Sequence, residues 1–234
     1  MGFFVYDGKR SEDYGIYIEH CPKRPMPERK IEKVSVPGRS GDLIIDHGCF
    51  ENVTQTYEIY IRARGCGTTA KAREVASWLL GSGGYRWLED SYDPDFMRLA
   101  AFTGPLDVDN WMLRYGRATL QFDCKPQWYL RSGLISETHE SPFALINEMQ
   151  PARPLIRVYG TGGTLYVGNT LVQINEISEY VDIDSETQNA YKGIQNCNPN
   201  VYAPEFPVLE KGETGIRWEG GITKIEITPR WWTI

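Results

Sequence analysis

Alternation of apolar and polar side chains sets the reading of this chain from its first residues. Phe3 to Tyr6 and Gly15 to Glu19 have the two-residue period of short strands. Val53, Gln55, Tyr57, Ile59 and Ile61 fall on one face of a longer strand, with Thr54, Thr56, Glu58 and Tyr60 on a wetter face. The pattern predicts that Leu43–Asp46 is the partner of this strand, reached through a turn at His47-Gly48. A helical period occurs once: Ala72, Val75, Ala76 and Leu79 form one stripe, with Thr68 or Thr69 as cap and Gly81 as stop. Strands resume at Tyr85–Leu88, turn at Ser91–Asp95, and continue through Phe96–Phe102, Leu106–Leu113 and Gly116–Cys124.

Periodicity then breaks between Pro126 and Pro142, which reads as a junction. Beyond it, Leu155–Tyr159, Gly163–Val167, Thr170–Ile174, Tyr180–Asp184 and Ile222–Thr228 are short strands separated by Gly, Asn and Asp turns, the spacing of a sandwich or jelly roll. No internal repeat or low-complexity tract interrupts this. The length of 234 residues suits two modules, placed at 1–133 and 134–234. Composition agrees: aromatics make up 12%, and 23 Gly and 14 Pro favour strands and turns.

Charge separates the halves further. Residues 1–133 hold 18 acidic and 18 basic side chains, whereas 134–234 hold 13 and 7, so the whole net charge of −6 sits in the second half. Such a chain is a poor sequence-independent nucleic-acid binder, because phosphate neutralisation needs a surplus of Lys and Arg, and no sequence-specific nucleic acid is expected as a partner. No apolar run approaches the roughly 18 residues of a membrane span, and the N-terminus lacks the basic and apolar regions of a signal peptide. Gly2 after Met1 has the form of an acylation start, but the residues after it read as a first strand. Five widely spaced cysteines (Cys21, Cys49, Cys66, Cys124 and Cys197), an odd number, suit reduced thiols.

Candidate chemistry is thin. His20-Cys21 and His47-Gly48-Cys49 supply no second ligand pair at zinc-finger spacing. Glu89, Asp90, Asp93 and Asp95 offer carboxylates for calcium or glycoside hydrolysis, yet Asp-Pro-Asp is also what a tight turn demands. Gly160-Thr161-Gly162-Gly163 lacks the Lys-Ser/Thr and the helix of a phosphate loop and reads as a hairpin turn. His20, His47 and His139 have no nucleophile context. Trp87, Trp111, Trp128, Trp218, Trp231 and Trp232 are suited to stacking on sugars, but in a β-rich protein such residues more often fill a core or interface. No metal, cofactor or catalytic residue is assigned.

Cys21–Lys33 stands apart: Pro22, Pro25 and Pro27 exclude helix and central strand, and five basic residues face two Glu. This reads as an extended arm. Val36-Pro37-Gly38-Arg39-Ser40-Gly41-Asp42, a turn, then leads through Leu43–Asp46 to Phe50-Glu51-Asn52-Val53-Thr54. The combination resembles the N-terminal signature of siphophage distal tail proteins. Tyr85-Arg86-Trp87-Leu88, Asp90–Pro94 and Phe122–Tyr129 follow in that family's order, and the likeness covers about residues 1–133. Pro154–Gly160, Tyr180–Glu186 and Ile225–Trp231 resemble its C-terminal domain more loosely.

The resemblance implies a mainly β chain with one helix in its N-terminal domain: a tail-tube-like β-sandwich followed by a galectin-like or jelly-roll β-sandwich. It implies a non-enzymatic, homohexameric ring in the virion tail tip, assembled in the host cytoplasm. Above it would sit the major tail tube protein, below it a tail-associated fibre or lysin protein, with a receptor-binding protein as a further partner and DNA passing through. There is no room for the carbohydrate-binding insertions of larger members. A ring buries two different patches per subunit, so the arm is expected at the subunit interface, through Pro22, Pro25, Met26, Pro27, Arg29, Lys30 and Ile31, with Arg39. The competing readings are a carbohydrate-binding β-sandwich module using Trp218 and Trp231, and a glycosidase using Asp93.

Overall fold

Strand pairing in this computed structural model, which describes residues 2–63, 67–106, 108–112 and 115–234, is antiparallel in each register resolved. The chain divides into two compact units, Met1–Trp128 with Ile234, and Tyr129–Thr233.

The first unit contains β1 (Phe4–Tyr6), β2 (Lys9–Arg10), β3 (Ile16–Ile18), β4 (Arg29–Val34), β5 (Leu43–Phe50), β6 (Val53–Arg62), α1 (Thr68–Gly81), β7 (Arg86–Asp90), β8 (Phe96–Phe102), β9 (Val108–Met112) and β10 (Tyr115–Cys124). Its main sheet runs β2-β1-β7-β8-β10-β6-β3, with β9 also pairing β10. The alternation predicted for β6 is obeyed: Val53, Gln55, Tyr57, Ile59 and Ile61 are buried, and Thr54, Glu58 and Arg62 are exposed. Helix α1 lays Val75, Trp78 and Leu79 on the same core, with Ala72 and Ala76 half-buried beside them. The centre is aromatic: the Phe4 ring stacks on Tyr57 at 5.5 Å and on Trp78 at 5.8 Å, and meets Phe122 edge-on at 5.7 Å.

Three expectations for this unit need correction. The helix cap is Gly67, in extended conformation and without a side-chain hydrogen bond, rather than Thr68 or Thr69. Gly67 is a permissible cap because its carbonyl opens the ladder by accepting from the Ala70 and Lys71 amides. Second, β5 pairs with β4, not with β6. His47-Gly48 does not end the strand: Gly48 takes φ 69° while its amide donates to Asp46 Oδ1, and the strand bends on to Phe50. The Val36–Asp42 turn is therefore the loop of a β4–β5 hairpin, with Gly38 and Gly41 at positive φ. Third, Leu106 lies outside the strand, which is described as β9 over Val108–Met112, and Asp107, Leu113 and Cys66 lie outside the described residues.

The second unit contains β11 (Trp128–Leu130, starting at the unit border), β12 (Glu137–His139), β13 (Phe143–Asn147), β14 (Leu155–Val167), β15 (Thr170–Ile174), β16 (Tyr180–Asp184), β17 (Asn189–Lys192), β18 (Gln195–Asn196), β19 (Val201–Tyr202), β20 (Gly212–Thr228) and β21 (Trp232–Thr233). The expected junction around Pro126–Pro142 is thus largely structured. Gly160–Gly163 is not a hairpin turn but the middle of β14, which pairs β16 through Leu155–Tyr159 and β15 through Gly163–Val167, with β20 alongside both halves. The register shifts at Tyr159–Gly163, so β14 bends there and passes from one neighbour to the other, the way a strand turns a corner between packed sheets. Ile156, Val158, Leu165, Val167, Ile183 and Ile225 fill the core beneath.

A half-buried ion pair ties this unit together. Arg230, at φ 59°, donates to Asp184 Oδ1 at 2.6 Å. Burial alone would raise the Asp184 carboxyl, but the hydrogen bond and charge of Arg230 hold it below its ordinary 3.8. A depressed carboxyl contributes stability that is present above its unfolded value and lost as pH falls through the folded one. The second unit is therefore expected to lose stability as pH drops below 3.8, and Asp184→Asn to flatten that part of its melting-temperature profile.

Candidate functional site

The chemistry of the proline-rich arm divides at Glu28. Pro22–Glu28 lies outside any helix or sheet, with Pro22, Pro25 and Pro27 half-buried and Met26 67% exposed. Arg29, Lys30 and Ile31 lie on β4, and Arg39 sits exposed in the hairpin loop. The arm is thus a hairpin strand from Arg29 to Val34, one edge of which is taken by β5 of the same chain. Arg29 is also used within the hairpin, donating to Asp46 at 2.6 Å and lying over the Phe50 ring.

Both faces of this hairpin carry exposed aliphatics. Ile31 and Ile44 stand on one face, Leu43 and Ile45 on the other, and Ile44 is 60% exposed. A two-stranded ribbon is marginal in water on its own, and a soluble monomer rarely shows such a row of apolar side chains without a use.

The arm's root is held where sequence reasoning did not look. Arg24 reaches the side chain of Asp90, which is 1% exposed, through two bonds of 2.6 and 2.8 Å. Asp90 also accepts from the Tyr57 hydroxyl at 2.9 Å and the Tyr92 amide at 3.0 Å. Burial and the Asp90 charge push the Tyr57 hydroxyl well above its ordinary range. Burial works against the Arg24 charge, but its bond to Asp90 outweighs this and the net shift is upward. The Gln55 amide adds a bond from Nε2 to the Lys23 carbonyl at 2.9 Å. The acidic cluster and the basic arm are therefore partners. Sequence showed each alone, and the one signal available was Gln55, a polar residue on an apolar face.

The other candidates have structural positions. Asp93 donates its amide to the Asp90 carbonyl and accepts from Phe96, as a turn requires. No group of metal-ligating side chains occurs among the described residues, and Cys21, Cys49, Cys124 and Cys197 are free thiols. Gly2 pairs with Ile18, as a first strand should. Trp128 is buried, and Trp218, Trp231 and Trp232 pack half-buried against the second core. The Trp111 side chain lies outside what is described.

No family model and no curated protein sequence matches the chain. Solved structures do. The SPP1 Dit protein, a paradigm of the hub adsorption apparatus of phages infecting Gram-positive bacteria, is similar over 100% of both chains, with TM-score 0.74 and 14% identity. Chains of the phage p2 baseplate in its activated conformation are also similar. The form with calcium gives TM-score 0.53 at 10% identity over 97% of each chain; that with strontium gives 0.52 at 10% over 97% and 98%. The likeness is one of fold, and the mainly β fold of this chain, with one α-helix among the described residues, is that of the SPP1 hub protein.

Proposed function

We propose that this chain is a distal tail protein of a long-tailed bacteriophage, a non-enzymatic structural component of the tail tip. The supporting observation is the agreement of fold with the SPP1 hub protein over the full length of both chains. In this reading the first unit closes a hexameric ring and the second faces outward. The ring joins the tail tube protein above to a fibre or lysin protein below, with a receptor-binding protein as a further partner, and DNA passes through it. The balanced charge of residues 1–133 suits such a bore, since phosphates do not adhere to a surface without excess cations. The protein belongs to the virion and assembles in the host cytoplasm.

The arm is the proposed ring contact. Anchored by Arg24, the β4–β5 hairpin offers its exposed aliphatics and Pro22, Pro25, Met26, Pro27, Lys30 and Arg39 to a second copy. Light scattering and negative-stain imaging of the purified chain are expected to show six-fold rings. A monomer that persists at every concentration, and also when mixed with the cognate tube protein, would overturn the proposal. Ile31→Glu with Ile44→Glu is expected to shift rings to monomers while leaving the melting of the first unit unchanged, because these side chains contribute nothing to its core. Intact rings in that variant, or after removal of residues 22–35, would remove the arm from the interface.

A further inference from the structure

The strand alternation of β8 places Arg98, with Ala100 and Phe102, on the core side of the first unit. Arg98 is fully buried, and neither Nε, Nη1 nor Nη2 has a hydrogen-bond partner within the protein. Its guanidinium lies over the Trp128 ring at 3.8 Å. The same ring has Arg24 at 5.1 Å, but the Arg24 charge is matched by two short bonds to Asp90. Two cations thus meet at one indole, and of the two Arg24 is bonded to a carboxylate.

Asp90 is already engaged by Arg24, the Tyr57 hydroxyl and the Tyr92 amide. The Cys124 sulfur lies against Arg98 without forming a good hydrogen bond, and burial pushes that thiol up to about 11, so it is neutral at physiological pH. Burial and the neighbouring Arg24 lower the Arg98 guanidinium as well, yet a guanidinium does not give up its proton in a protein. The attraction of the ring recovers only part of the hydration lost by a buried cation.

We propose that the interior of the first unit holds a small monovalent anion, a halide or nitrate, against the guanidinium of Arg98 over Trp128. One unmatched charge calls for one negative charge, and full burial selects a small ion. The inference is independent of the tail-tip reading, since it concerns the interior of one chain.

The test uses the full chain at constant ionic strength while gluconate is replaced by chloride. The melting temperature of the wild type is expected to rise with the logarithm of chloride concentration, and that of Arg98→Met to stay flat. A bromide-soaked crystal of the wild type is expected to show an anomalous peak within hydrogen-bonding distance of the Arg98 nitrogens. Water alone at Arg98, in a crystal that orders bromide elsewhere, overturns the proposal. So does an equal chloride response in Arg98→Met. Should that variant fail to fold, the bromide peak decides.

Discussion

Arg24→Ala is expected to destabilise the first unit by about 3–5 kcal/mol, because it strips a buried carboxylate of its cation. The side chain of Asp90 is 1% exposed and would keep only the Tyr57 hydroxyl and the Tyr92 amide as donors. Asp90→Ala is expected to cost a similar amount, since it leaves the Tyr57 hydroxyl without its acceptor and Arg24 without its anion. Replacing both, as Arg24→Met with Asp90→Leu, should recover most of the loss, because apolar groups of similar volume need no solvation. The double variant separates two roles of the pair. Its denaturation midpoint should lie near wild type, while its arm, freed from the anchor, should be cut by protease at Lys23 well before the rest of the chain. Single variants that lose less than about 1 kcal/mol would place Arg24 among ordinary surface pairs.

Gly163→Ala is expected to destabilise the second unit by about 3 kcal/mol or more, combining backbone strain with displacement of a neighbouring strand. Gly163 has φ 150°, and a Cβ there would lie 2.2 Å from the Glu219 carbonyl oxygen on β20. Gly160, at φ 140°, is equally confined: its Cβ would lie 2.1 Å from the Gly221 carbonyl oxygen. Both obstacles are backbone atoms, so no rotamer change relieves them. Gly215→Ala, on the same β20, is the control, since its Cβ meets nothing within 4 Å. It should change stability by no more than about 0.5 kcal/mol. Equal denaturation midpoints for Gly163→Ala and Gly215→Ala would show that the two strands do not approach this closely at the bend.

These two sites explain where sequence reading stops. Local period is carried by neighbouring residues, so β6, β8 and the stripe of α1 were legible: each depends on which side chains face one core. The buried Gln55 was legible too, as a polar residue in an apolar row. The choice of β4 over β6 as the partner of β5 was not, because a strand with apolar residues on both faces fits either neighbour. Likewise Gly160-Thr161-Gly162-Gly163 contains the residues of a turn. Only the presence of β20 alongside makes an extended, bent strand the better solution, since it pairs the backbone of both halves.

The proline-rich arm shows both sides of this division. Its exclusion from helix and sheet over Pro22–Glu28 followed from Pro22, Pro25 and Pro27 alone, because proline fixes φ and removes a donor regardless of context. Its attachment did not, since Arg24 and Asp90 lie 66 residues apart and their affinity arises only when folding removes water from both. The same holds for Arg98, a basic residue on an apolar strand whose unmatched charge becomes visible only once Trp128 closes over it. By itself the sequence determined such strands as β6 and β8, where the helix lies and which of their faces are apolar. The tertiary structure alone decided which strands pair, which charges meet and which cation is left over, because those outcomes depend on burial, and burial is a property of the assembled chain.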